Sequence, residues 1–232
     1  MSALRIGLLL GWRQIQRANI WTTSLIIFVM MLTFLNLIVV SGVLVGLIAG
    51  AERAVKAESL GDIVISELDG EDRILETEAL VRAIGTYDEI QNYSVRYQGS
   101  AILEANYKER RNLAAERDIA NATVTGIDPV QEDAMSGLSD NLIAGEYLNP
   151  NEEGYILIGY YYLEENAEQF GDIFDTLSNI APGVPVRLTA GDVSKEFIVK
   201  GIVQSKVDEV SLNTYIPERE FRRLFGRLNV LL

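Results

Sequence analysis

The chain contains no cysteine and no histidine. Without cysteine there is no disulfide, no zinc–thiolate centre and no thiol nucleophile. Without histidine the commonest general base near neutral pH and the commonest transition-metal ligand are missing too. A hydrolase would have to run on paired carboxylates or a Ser–Lys dyad, so the expectation is a protein that is not an enzyme and holds neither cofactor nor metal. Basic residues are also scarce: 20 Lys and Arg stand against 33 Asp and Glu, for a net charge of −13. That balance argues against a nucleic-acid partner, which needs a basic face to release counterions. It likewise disfavours laying the acidic part on anionic lipid.

Charge is absent locally as well. From Ala18 to Ala51 there is no ionisable side chain. The hydrocarbon core of a bilayer needs about 20 apolar residues in helical form, so this run can span it and project beyond. Arg5, Arg13 and Arg17 precede the run and Glu52 follows, leaving −16 beyond Ala51. The positive-inside bias then places the N-terminus in the cytoplasm, the span in the cell membrane and the acidic bulk outside. A cleaved signal peptide ending at Ala49-Gly50-Ala51 is the competing reading, but its apolar region would be about 7–15 residues long.

These features predict three parts: a cytoplasmic amphipathic helix over 1–17, a transmembrane helix and stalk over 18–56, and an extracytoplasmic domain over 57–232. In the first, Leu4, Leu8, Trp12 and Ile15 recur at helical spacing, with Arg13, Gln16 and Arg17 on another side. In the span, Gly42, Gly46 and Gly50 repeat every four residues and share a face on which another backbone can approach closely. Asn36 is a polar group at mid-span that favours a partner helix over lipid. Glycine face and Asn36 are therefore the helix-packing candidates.

Beyond the span, Glu52 to Lys56 continues the helix and Gly61-Asp62 breaks it. Ile63-Val64-Ile65 reads as a first strand, and Leu75, Leu80, Val81 and Ile84 as a short amphipathic helix ending at Gly85. Ile90 to Tyr107 alternates like a long strand or hairpin, Lys108 to Asp118 is a charged interruption, and Ala122 to Ile127 is a strand. Tyr155 to Ile158 is a buried strand, Tyr160 to Phe170 helical, and Ile173 to Ile180 a second short helix. Val184 to Thr189 and Glu196 to Val203 form a hairpin about Ala190-Gly191-Asp192. Asn213 to Ile216 is a strand, and Pro217 opens a helix through Phe225. The mixture has no regular βαβ repeat, so the fold class is α+β.

The order of motifs is distinctive: Gly-Asp-Ile-Val-Ile after the span, Val124-Thr125-Gly126-Ile127-Asp128-Pro129, Ile143-Ala144-Gly145-Glu146-Tyr147-Leu148, and Tyr155-Ile156-Leu157-Ile158-Gly159. Phe197-Ile198-Val199-Lys200-Gly201-Ile202-Val203 and Thr214-Tyr215-Ile216-Pro217 complete it. This resembles the N-terminal half of ABC transporter permeases of the MacB/FtsX/lipoprotein-releasing superfamily. The resemblance implies a MacB-like periplasmic core domain, porter-like α+β with an inserted mainly β subdomain at about 97–148. It implies as partners an ABC ATPase subunit, a second permease copy or paralogue, the remaining permease membrane helices and the lipid bilayer. The family carries three further membrane helices after the core domain and this chain stops at Leu232, so a fragment of a longer permease is expected. No P-loop pattern is present, and no family site residue carries over, because these motifs shape the fold. A single-pass receptor or scaffold, whose outer domain binds a ligand or protein, is the alternative.

Other clusters read as ordinary surface. Glu67, Asp69, Glu71 and Asp72 lack calcium-loop spacing, and Glu164, Glu165, Glu168, Asp172 and Asp175 read as the wet side of helices. Tyr160-Tyr161-Tyr162 point in different directions. Asn92-Tyr93-Ser94 and Asn121-Ala122-Thr123 fit a glycosylation pattern that arises often by chance. Ser194-Lys195 sits near a turn, poor housing for a desolvated lysine base.

Overall fold

The computed structural model describes residues 6, 7, 9–13, 19–67, 74, 76–109, 117–166 and 175–226. The chain divides into two compact units, Met1–Glu52 and Arg53–Leu232.

In the first unit residues 9–13 are helical, with Trp12 and Arg13 exposed; Leu4, Leu8 and Ile15 lie outside the described residues. Helix α1 runs from Ile20 to Val55. Asn19 caps it, its Oδ1 accepting from the Trp21 amide at 3.1 Å, which satisfies one orphan donor of the first turn. It is long and apolar enough to cross a membrane. Its Thr33 hydroxyl donates back to the carbonyls of Val29 and Met30, so a polar side chain is satisfied within the helix's own ladder.

In the second unit the helix widens. Lys56–Leu60 form a π-helical turn, closed by the Gly61 amide on the Lys56 carbonyl at 2.9 Å. Gly61 ends it at φ +67°, a conformation glycine adopts without penalty. After α2 (Thr77–Ile84) come β1 (Tyr97–Ala105), β2 (Asp118–Ile127), α3 (Pro129–Ser136), β3 (Leu142–Gly145) and β4 (Tyr155–Gly159). Then follow β5 (Pro185–Ala190), β6 (Val193–Val203), α4 (Asp208–Leu212), β7 (Asn213–Pro217) and α5 (Glu218–Leu224). Asp128 caps α3 through two backbone amides and Pro129 opens it.

Among the described residues seven strands run in the order β3-β6-β4-β7-β2-β1-β5, and β5 pairs again with β6. Six of them therefore close into a ring, with β3 added along the C-terminal half of β6. The pairs β2–β7 and β4–β6 are parallel, the others antiparallel. Alternation decides what fills the ring. Ala101, Leu103 and Ala105 of β1 face inward with Ala120, Ala122 and Val124 of β2, Val186 and Leu188 of β5, and Phe197 and Val199 of β6. Small alanines beside leucines and phenylalanine are the mixture that lets side chains fill the interior of a small barrel. The end of the barrel is covered by Phe221 and Leu224 of α5. A second apolar layer lies on the outer face of the sheet: Ile127, Leu138, Leu148, Leu157, Val203, Val207, Val210 and Tyr215.

Several sequence expectations change here. The stretch 97–148 supplies β1, β2 and β3 to the shared sheet. Ile63–Ile65 belongs to no helix or turn and pairs with no described strand, so it forms none itself, since a strand needs a neighbour to form a ladder. Of the stretch from Ile90 only Tyr97 onward is strand. Tyr160–Tyr162 and Glu164–Asn166 are 3₁₀ turns, interrupted at Leu163, which is extended and bridges in parallel to Leu177. That bridge, with Asn179 at φ +60°, replaces the helix expected up to Ile180. Pro217 caps α5 rather than occupying its first turn, because it is still the last residue of β7.

Candidate functional site

Gly42, Gly46 and Gly50 lie on one uninterrupted helix. A Cβ built on any of them meets nothing within 4 Å. At 100° per residue the three spread over about 80° of the helix surface, and Asn36 sits about 80° round from Gly46. Asn36 is exposed. Glycine face and amide thus occupy neighbouring sides of a helix whose surface is open throughout this stretch.

The foot of the helix belongs to the second unit and is fixed to it. Ala54 and Val55 pack on the outer apolar layer. The π turn touches α3 and α4, burying Ser59. The Glu58 carboxylate accepts from the Ser205 hydroxyl. Ser205 Oγ in turn accepts from the Val207 amide at 2.8 Å, and Ser211 Oγ accepts from the Ser205 amide at 2.9 Å. Every polar atom at this junction so named has a partner, which is what lets it be buried.

Among the described residues three carboxylates are buried in the β domain, none of them marked by sequence reasoning. Glu132 of α3 is 1% exposed. It accepts two bonds from Arg96 (2.9 Å from Nε, 2.6 Å from the terminal nitrogen), one from Ser94 Oγ at 2.7 Å and one from Ser136 Oγ at 2.8 Å. Burial by itself raises its pKa, but the Arg96 bonds and charge, with the two serines, hold it below the ordinary carboxylate value. Glu104 of β1 lies between Arg117 and Arg187, the latter its direct cross-strand neighbour. The Arg117 bond, followed by Arg187 against the opposing effect of burial, lowers its pKa. Arg187 also lies 4.7 Å from the Tyr107 ring. Glu220 of α5 accepts from Lys195 and, at 2.9 Å, from the Gly154 amide.

The side chains weighed from sequence find local partners. Lys195 is held by Glu220 and lies 5.3 Å from the Phe197 ring, while the hydroxyls of Ser194 and Thr189 are 2.9 Å apart. The dyad is thereby dismantled. Tyr161 OH donates to Asp208 at 2.7 Å and Tyr162 OH accepts from the Thr123 amide. Asn92 Nδ2 donates to the Ala134 carbonyl and Asn121 Nδ2 to Asp175. Glu168, Asp172, Asp69, Glu71 and Asp72 lie outside the described residues. Among the described residues no group of three His, Cys, Asp or Glu is placed to hold a metal ion. Tyr147 and Tyr215 have their phenol pKa values pushed up, mainly by burial, and stay neutral donors.

The sequence carried one usable signal for these pairs. Lys195 has the same parity as Phe197 and Val199, so alternation puts a cation on an inward face that demands a partner. Glu132 carried none, because its partner lies 36 residues upstream. Comparison with protein-family models and with curated proteins finds no match.

Proposed function

We propose that the chain is a membrane-anchored part of an ABC transporter permease of the export or lipoprotein-release type, which passes ATP-driven motion to its outer domain. The observation that carries this reading is the junction at the foot of α1. The chain is helical through Leu60 with no irregular linker. Residues 54 to 59 are locked to the β domain by apolar contact and the Glu58–Ser205 bond. A tether needs only a flexible connection; a mechanical relay needs one that does not slacken. In this reading α1 crosses the cytoplasmic membrane with its N-terminus inside. Its glycine face and Asn36 then meet a second permease copy, a paralogue or further permease helices, and a separate ABC ATPase supplies the work.

The test is purification from host membranes in mild detergent and reconstitution into nanodiscs. Vanadate-sensitive ATP hydrolysis should co-purify, and a Gly-Ser-Gly-Ser insertion between Leu60 and Gly61 should uncouple substrate movement while hydrolysis persists. A preparation that binds an outer ligand with no associated hydrolysis would make the chain a receptor and sink the proposal.

A further inference from the structure

From Gly61 to Ile90 no described residue joins either apolar cluster of the domain. Helix α2, inside this stretch, buries none of its residues. Its most unusual part is Ile63-Val64-Ile65: in no helix or turn, paired with no described strand, and exposed by 77%, 58% and 49%. In an extended chain successive side chains point to opposite faces. Paired as a strand, Ile63 and Ile65 would open on one side and Val64 on the other. A segment apolar on both faces matches an interior strand, covered above and below, rather than a solvated edge. Three consecutive apolar side chains and a free backbone ladder are costly to leave in water and invite pairing.

Charge selects what pairs with it. Between Gly61 and Ile90 nine acids stand against Arg73 and Arg82. A second copy of this segment would set those acids against their own kind, and an anionic bilayer surface is repelled for the same reason. A partner strand flanked by lysine or arginine meets opposite charge instead, which steers its approach and fixes its register.

We propose that residues 62–66 are a β-addition site, taking as an extra strand a partner polypeptide with an apolar centre and basic flanks. Backbone bonds supply the affinity, the two apolar faces the register, and the acids that flank the segment in sequence the selection. The idea is independent of the transport reading, since it concerns peptide binding and not nucleotide hydrolysis.

The experiment uses the full chain in detergent micelles with the fluorescent probe peptide Lys-Lys-Val-Ile-Val-Lys-Lys, read by anisotropy and by hydrogen exchange at amides 62–67. Saturable binding with slowed exchange at these amides is expected. It should weaken with added salt and be at least about tenfold weaker for the peptide with glutamates in place of its lysines. Val64→Pro removes a ladder donor and should weaken binding about tenfold or more. Val64→Lys, which keeps the donor but adds like charge and removes apolar surface, should do the same with the barrel's near-ultraviolet circular dichroism unchanged. No saturable binding, or equal binding by both variants, overturns the proposal. Self-association that Val64→Pro abolishes, with no peptide bound, would assign the segment to a second copy and overturn it too.

Discussion

Arg96 illustrates how much of this domain rests on single polar side chains. It reaches from the irregular segment before β1 to the carboxylate of Glu132, which has almost no contact with water. Removing the guanidinium leaves a desolvated charge whose remaining neighbours are Ser94 and Ser136. Arg96→Met should therefore cost about 3–5 kcal/mol, as for other broken buried pairs, measured by denaturant unfolding of the full chain in micelles. The pH dependence has a definite sign. The folded pKa of Glu132 is lowered from 4.5, so the clasp's stabilisation is present above that value and is lost as pH falls through the lower folded pKa. In Arg96→Met burial acts without the arginine opposing it, so the folded state favours the protonated carboxyl and the variant should recover part of its deficit as pH falls, over the range where the parent loses stability. A variant whose acid limb superimposes on the parent's would contradict the assignment. By contrast Arg187→Met should be milder, because Arg117 still reaches Glu104.

At the scale of elements, close approach between backbone and ring governs the barrel's end. Phe221 and Phe225 of α5 and the residue after it stack with ring centroids 4.2 Å apart. They lie over Gly126 and Gly99, where an added Cβ would come within 2.5 Å of Phe221 Cβ and of Phe225 Cε1 respectively. Gly126→Ala should push α5 off β2 at a cost of about 1–3 kcal/mol, the usual range for overpacking. Gly85→Ala, which meets only backbone oxygens at 3.5 Å or more, should be silent in the same melts. In α1, Gly46→Leu should weaken association with partner helices while leaving insertion intact, because leucine favours lipid but blocks close approach. Val45→Leu on another side should change nothing; equal co-purification of both variants would reduce the glycine face to composition. The legibility of elements followed their locality. The β5–β6 hairpin was readable because its turn and its alternation sit within 20 residues. Leu177 was misread because its conformation is set by a bridge to Leu163, and a strand at Ile63 was misread because sequence shows propensity but not a neighbour. The α1 span was the easiest of all, since 34 successive uncharged residues need no tertiary information. Packing roles of Gly42, Gly46, Gly50 and Asn36 concern partners outside this chain, which no fold of it displays.

For the whole molecule the first expectation concerns sidedness. With no native cysteine, a single introduced thiol reports its own location. Ser194→Cys, exposed beside the β5–β6 turn, should react with an impermeant maleimide in intact cells, and Ser2→Cys should react only after lysis. The reverse pattern would invert the proposed orientation.

The ring of strands also dictates an order of events in time. Its last described strand, β7, lies between β4 and β2 with all five residues buried. Until Asn213–Pro217 emerges, β2 and β4 each present a bare edge, and the parallel β2–β7 pair joins residues about 90 positions apart. Such distant pairings make folding slow. A chain terminated after Leu212 should therefore be insoluble or proteolysed rather than partly folded, as a limited-trypsin time course against the full chain would show. During synthesis the strands made before it must wait, open-edged and sticky, for β7. That interval, more than the finished barrel, is when this protein is exposed to aggregation and most in need of a chaperone.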